Sequence, residues 1–205
     1  ETLLAASDNG RLPILCDMSP CLYHMKQTLD DRLRLYEPVR FTLTYLADKL
    51  EFKKIPQTIA IHTVCSAKKM GLEAEFRRLA EMCAAKVVAP DITCCGFAGD
   101  RGFTVPELNS FGLRRLKQQL PPEVSHGYAT SRTCEIGLSA HGGIDYTSIL
   151  YLVDRCTRTL DRAVRDGYLI QEQDRGDPPG TEWRVVSKRE PTTAEMEASS
   201  SSNCT

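Results

Sequence analysis

Short β-prone runs alternate with longer amphipathic stretches along most of the chain. Residues 12–16 (LPILC) form a compact apolar run closed by Asp17 and Pro20, which predicts a strand. Two helical stretches follow at about 22–35 and 39–50, with Glu37-Pro38 breaking between them. Residues 58–62 (TIAIH) predict a second strand. Residues 67–84 have helical spacing, so that Leu72, Phe76, Leu79, Ala80 and Cys83 share one face. Residues 86–89 (KVVA) predict a third strand before Pro90-Asp91. A helix over 108–120 is opened by Pro106-Glu107 and closed by Pro121-Pro122. A fourth, weaker strand is expected at 123–129. An amphipathic helix is expected at 147–164, with Leu150, Val153, Cys156 and Leu160 along one side.

This alternation predicts an open, mainly parallel, four-stranded α/β sheet with flanking helices. The pattern bounds a domain at 12–165. Residues 166–189 suit a small hairpin appendage, pairing 168–170 with 183–186. The serine-rich stretch 190–205 is expected to be a disordered tail.

Composition narrows the function classes. Of 205 residues 41% are hydrophobic and 26% charged, enough for a sizeable core. A net charge of -1 lacks the basic excess of a phosphate-binding face, so no nucleic-acid partner is expected. No run reaches the roughly 18–20 apolar residues of a transmembrane segment. The first 15 residues lack the basic start and apolar stretch of a signal peptide. Beginning with Glu rather than Met, the chain reads as a piece of a longer or processed polypeptide.

Cysteine adds the chemistry. Nine cysteines, an odd number without a secretory signal, argue against a disulfide framework and for a reducing compartment. Cys21, Cys65, Cys94, Cys95 and Cys134 each follow the end of a predicted strand by three to six residues. A parallel sheet gathers such loops at one edge, the carboxyl ends of its strands, so these five thiols are expected to meet there as metal ligands. Cys16, Cys83 and Cys156 lie on apolar faces and read as small buried hydrophobes. Cys204 falls in the tail.

Thiolates select zinc, copper(I) or iron–sulfur units. Zinc knuckles use paired C-x₂₋₄-C spacings. Here Cys16 and Cys21 are separated by four residues, while Cys94 and Cys95 are adjacent. Adjacent thiols serve different irons of a cluster more readily than one ion, and five thiols exceed a tetrahedral zinc. An iron–sulfur cluster, of the [4Fe-4S] type, fits best. Gly96, Gly99 and Gly102 allow the backbone to approach such a cluster and aim amides at its sulfurs, although an ordinary glycine-rich turn has the same composition. His62 and His141 are candidates for hydrogen-bonding or ligation, against a purely structural role. Asp100 and Arg101 suit a surface pair or a docking face.

The segment CCGFAGDRGF at 94–103, followed by PEL at 106–108, resembles the CCG cysteine-rich domain found in heterodisulfide reductases and in the iron–sulfur part of glycolate oxidase. DMSPC at 17–21, HTVCS at 62–66 and SRTCEIGL at 131–138 are similar to bacterial-type D-lactate dehydrogenases, which join a flavin-binding oxidase module to a C-terminal iron–sulfur module. The resemblance spans about 12–155. It implies an electron-transfer module passing electrons from FAD on an upstream domain to a quinone or cytochrome, the fragment alone not being catalytic. Its partner is then a FAD-binding oxidase domain, in the same polypeptide or a partner subunit. The location is then cytoplasmic or mitochondrial, with peripheral membrane association left open. One departure stands out: the second cysteine of the family's CxxC falls at Gly137, so that Cys21 or a simpler four-cysteine set must serve. A thiol-dependent redox catalyst and a zinc-stabilised binding domain are the competing readings.

Overall fold

The computed structural model describes residues 2–159. All but Thr159 lie in the first of two compact units, Glu1–Arg158, the second being Thr159–Thr205. The hairpin expected at 166–189, the tail at 190–205 and Leu160 fall outside the described residues.

In chain order, helix α1 (Thr2–Ala6) leads to strand β1 (Ile14–Leu15), helix α2 (Ser19–Thr28) and strand β2 (Leu35–Tyr36). Helix α3 (Pro38–Phe41) runs into a π turn at Thr42–Leu46, then strands β3 (Leu50–Phe52) and β4 (Ile55–Ile61). Helices α4 (Cys65–Lys69) and α5 (Glu73–Cys83) precede strand β5 (Ala84–Val88). Helices α6 (Arg101–Thr104), α7 (Pro106–Leu113) and α8 (Leu116–Gln119) lead to strand β6 (Val124–Ala129). Helix α9 (Arg132–Gly142), strand β7 (Tyr146–Ser148), helix α10 (Ile149–Cys156) and strand β8 (Thr157–Thr159) complete it.

The main sheet is four-stranded and wholly parallel, in the order β5-β4-β6-β7. Ala60 of β4 pairs with Val88 of β5 and with Gly127 of β6, and Tyr128 of β6 pairs with Thr147 of β7. The fold class is therefore the expected one, but its membership differs in one strand. Residues 14–15 pair instead with Leu35–Tyr36, in a separate two-stranded parallel sheet. That run is too short and too exposed for a central strand, with Leu12 49% and Leu15 42% accessible. The fourth place belongs to β7, a three-residue strand hidden at the start of what reads as a helix. Tyr146, 2% exposed, packs on Gly127, where a Cβ would fall 2.3 Å from its ring.

Other boundaries moved for local reasons. The helix expected at 67–84 is two helices, broken where Gly71 takes φ +72°. The break sends Leu72 to a different core from Phe76, Leu79, Ala80 and Cys83. The stretches at 22–35 and 39–50 end early, at Thr28 and Leu46, leaving Leu35 and Leu50 as strand residues. The helix expected at 108–120 pauses between Leu113 and Leu116. The last helix starts at the Ser148 cap and buries Ile149, Leu152, Val153 and Cys156, with Leu150 turned partly outward.

Alternation along the strands divides the core in two. Ala60, Val88 and Ala129 join one cluster, with Phe97, Leu113, Leu116 and Leu138. Ile59, Ile61, Val87 and Tyr128 join the other, with Phe76, Leu79, Leu152 and Val153. Each face of the sheet thus has its own helical cover.

Candidate metal centre

β4, β5 and β6 run in the same direction and end at one edge. From β4 the chain moves to β5 on one side, then crosses to β6 on the other, so the loops diverge at the β4–β6 boundary. That is where open α/β sheets leave a crevice for a ligand. Cys65 follows β4, Cys94 and Cys95 follow β5, and Cys134 follows β6.

The expectation that all five cysteines sit on loops is corrected in detail. Only Cys94 and Cys95 lie outside regular structure; Cys21, Cys65 and Cys134 sit in the first turns of α2, α4 and α9. The connections after β4 and β6 are so short that Val64 and Ser131 already act as helix N-caps. The first-turn amides of a helix have no intrahelical partner, a favourable setting for sulfur that must become anionic.

Four of the thiols gather at this edge. The Sγ atoms of Cys95 and Cys134 are 2.9 Å apart. Cys94 lies close enough to both Cys95 and Cys65 to shift the titration of each, so the thiols run in the order 65, 94, 95, 134. Cys95 and Cys134 are buried, Cys94 is half-buried and Cys65 exposed, so the row leads from the core to the surface. The contact with Cys134 holds the Cys95 thiol up at about 12. The contact with Cys95, then burial, raises Cys94; burial, then the neighbouring Cys94, raises Cys65. A metal bound here would have to displace their protons.

Cys21 stands outside this row and is exposed. It nevertheless reaches the same edge, because α2 docks on the β6–α9 turn. Ser19 Oγ donates to Thr130 Oγ1 at 2.8 Å, the Ser19 amide donates to Thr130 O at 3.1 Å, and the Arg132 amide donates to Met18 Sδ at 3.4 Å.

The paired-cysteine loop is held from below by residues that the sequence did not single out. Buried Asn109 donates its side-chain amide to Cys95 O at 2.6 Å. Gly112, one turn on, lets α7 approach until a Cβ there would lie 2.9 Å from Cys94 O. The signal was present: Asn109 is a polar residue in step with Leu113 and Leu116, a buried stripe at spacings of four and three. Gly96 has φ +73° and sends its amide to Cys94 Sγ at 3.4 Å, and a Cβ there would overlap Leu108 O at 2.1 Å.

The same packing accounts for Gly137. A Cβ there would sit 2.4 Å from Nδ2 of Asn109, so Asn109 occupies the space that a cysteine side chain would need. His62 is 3% exposed, and burial, then Lys68, lowers its pKa to about 4, so it is neutral near pH 7. His141 lies in the last turn of α9 rather than in a loop, seven residues and about 10 Å of helix rise past Cys134. Asp100 and Arg101 are both exposed.

Among the described residues, no three Cys, His, Asp or Glu side chains converge as a site for a single ion. The thiols form a row instead. On the outer side of the first turn of α9, a cleft of about 780 Å³ opens between Met18, Arg132, Glu135 and Tyr151. No protein-family model, curated protein or solved structure gives a significant match to this chain.

Proposed function

We propose that this chain is an iron–sulfur electron-transfer module, the relay part of a flavin-linked D-2-hydroxy-acid dehydrogenase of the D-lactate type. Its partner would be a FAD-binding oxidase domain, and its acceptor a quinone or cytochrome. The observation that carries the module is the row of four sulfurs drawn from three segments up to 69 positions apart, at the carboxyl edge of a parallel sheet. The hydroxy-acid assignment rests on the motif resemblance alone.

The surrounding groups suit a sulfur-rich inorganic unit. Among the described residues five buried side-chain polar atoms have no partner, and three of them flank the ligand positions: His62 Nε2, Ser66 Oγ and Ser131 Oγ. A buried donor left unpaired costs about 1–3 kcal/mol, and thiolate or sulfide acceptors at this edge would relieve that cost. In this reading Cys65, Cys94, Cys95 and Cys134 are the ligands, with Cys21 from α2 as the fifth. An iron–sulfur cluster held there exchanges one electron at a time, which suits stepwise oxidation of a two-electron flavin. The chain's own part is to keep the thiols close, to offer the Gly96 amide to sulfur, and to fix the loop through Asn109.

The close Cys95–Cys134 pair also favours a second reading, a thiol–disulfide redox catalyst that needs no iron. One experiment separates the two. Protein purified without oxygen is assayed for iron, zinc and acid-labile sulfide, alongside Cys134→Ala and Cys156→Ala variants. Roughly three to four irons with matching sulfide, abolished in Cys134→Ala and intact in Cys156→Ala, support the cluster. A metal-free protein that forms a Cys95–Cys134 disulfide on mild oxidation supports the catalyst. One zinc without sulfide would leave a structural zinc domain in its place.

A further inference from the structure

Directly after the paired cysteines, the chain turns its apolar side chains outward. Phe103 is 63% exposed, Phe111 68%, Leu108 43% and Val105 42%, all within nine residues. Two exposed phenylalanines so close together have no folding rationale, since burying each would stabilise the domain. Phe103 stands edge-on against the buried Phe97 with ring centroids 4.8 Å apart, so its position is fixed. Leu108 and Phe111 are three apart on the outer face of α7, whose inner face carries Asn109 and Leu113.

The charge around this patch is one-sided. Four of the six charged residues from Asp100 to Lys117 are basic, Arg101, Arg114, Arg115 and Lys117, in a chain whose net charge is -1. All four are exposed. The Arg114 guanidinium lies 3.8 Å from the centroid of the Phe111 ring, placing a cation directly on the apolar patch. Asp100 and Glu107 are the acidic residues of the stretch.

Protruding phenylalanine and leucine beside arginine and lysine on a short surface helix match the interface of an anionic bilayer. The rings enter the acyl boundary while the guanidinium groups meet lipid phosphates. We infer that the α6–α7 face docks this chain peripherally on anionic lipid, seating Phe103, Leu108 and Phe111 in the interface. Docking does not depend on a metal, but its purpose rests on the electron-transfer reading. The inner face of α7 holds Cys94 and Cys95 through Gly112 and Asn109, so the thiol row lies about one helix diameter, roughly 10 Å, from the lipid. An acceptor dissolved in the membrane would then be within electron-transfer reach, with no transmembrane helix required.

The test is flotation of the full 205-residue chain with vesicles of pure phosphatidylcholine, and with vesicles containing one third phosphatidylserine. Binding is expected on the anionic vesicles, weakened by salt, and lowered about tenfold or more in a Phe103→Ser/Phe111→Ser double variant. Phe103→Ser gives up its edge contact with Phe97, so the variant should melt slightly below the parent while keeping its fold and metal content. An Arg114→Glu/Arg115→Glu variant should lose the anionic preference. Failure to float at low salt, or equal flotation of the double variant, overturns the proposal. So does a parent dimer that becomes monomeric in the double variant without lipid binding, which would assign the face to a second copy. Metal and sulfide content is read separately, so loss of docking with an intact cluster sinks only this inference.

Discussion

Two groups of cysteines lie on opposite faces of the same sheet, and they differ in everything except sulfur. On one face, Cys95 and Cys134 belong to the core that includes Ala60, Phe97 and Leu138, and their row continues to the surface through Cys94 and Cys65. On the other, Cys83 and Cys156, the last residues of α5 and α10, are free thiols that lie close enough to shift each other's titration among Ile59, Phe76, Leu79 and Leu152. Cys156 also donates to Val153 O at 3.4 Å. Around the second pair, apolar side chains close every approach. Around the first stand unpartnered buried hydroxyls, a glycine turn and helix N-termini. Contact between sulfurs therefore does not by itself mark a site; the polar atoms left over around it, and a route to solvent, do.

The contrast breaks first under truncation. Phe76→Ala, on the side of Cys83 and Cys156, removes a ring 1% exposed and should cost about 4 kcal/mol, read from the urea midpoint. Cys134→Ala should cost far less stability than that and yet abolish the iron binding proposed for this edge. If Phe76→Ala proves mild, that face is not the structural one.

Acid gives the second test. His62 sits between Ala60 and Val64 on the thiol face, with a folded pKa of about 4 against 6.5 unfolded. The unfolded chain takes up the proton first as pH falls below 6.5, so folding stability drops from there down to about 4. Between pH 7 and 5 the loss from this residue should be about 2 kcal/mol. His62→Gln should flatten that slope, whereas substitutions around Cys83 should leave it unchanged. An equal slope in His62→Gln and parent would remove His62 from the thiol face's polar set.

The smallest expected effect sharpens the site itself. Gly137→Ala forces a Cβ against Asn109 and should cost about 1–2 kcal/mol in denaturant unfolding. It should also loosen the loop that Asn109 ties at Cys95 O, seen as faster reaction of Cys95 with a thiol reagent. Unchanged stability would mean that Asn109 can swing aside.

Three of the four sheet strands were legible because residues 58–62 and 86–89 carry β-branched residues close to Pro56 and Pro90-Asp91, and Pro121-Pro122 stops the helix just before the third. The face of α5 was legible because Phe76, Leu79, Ala80 and Cys83 keep helical spacing over two turns. β7 was not, since three residues carry too little period to separate Tyr146–Ser148 from the helix that follows. The partner of β1 was equally hidden, because Leu35–Tyr36 is only two residues long and reads as the end of a helical stretch. Asn109 and Gly112 were readable as helix residues, but not as the support of the cysteine loop 14 and 17 residues earlier.

Sequence by itself determined the alternation of strand and helix, and hence that residues following β4, β5 and β6 gather at one edge, because parallel strands must end together. It also determined which residue types stand there, and so the soft-ligand chemistry open to them. Tertiary structure decided which thiols come together. Cys65, Cys94, Cys95 and Cys134 form a row, while Cys21 approaches by a different route through Ser19 and Thr130. It also decided that Gly137 faces Asn109, and that Phe103 and Phe111 point outward. Those outcomes depend on how close two elements come in space. Spacing along one chain carries no measure of that distance.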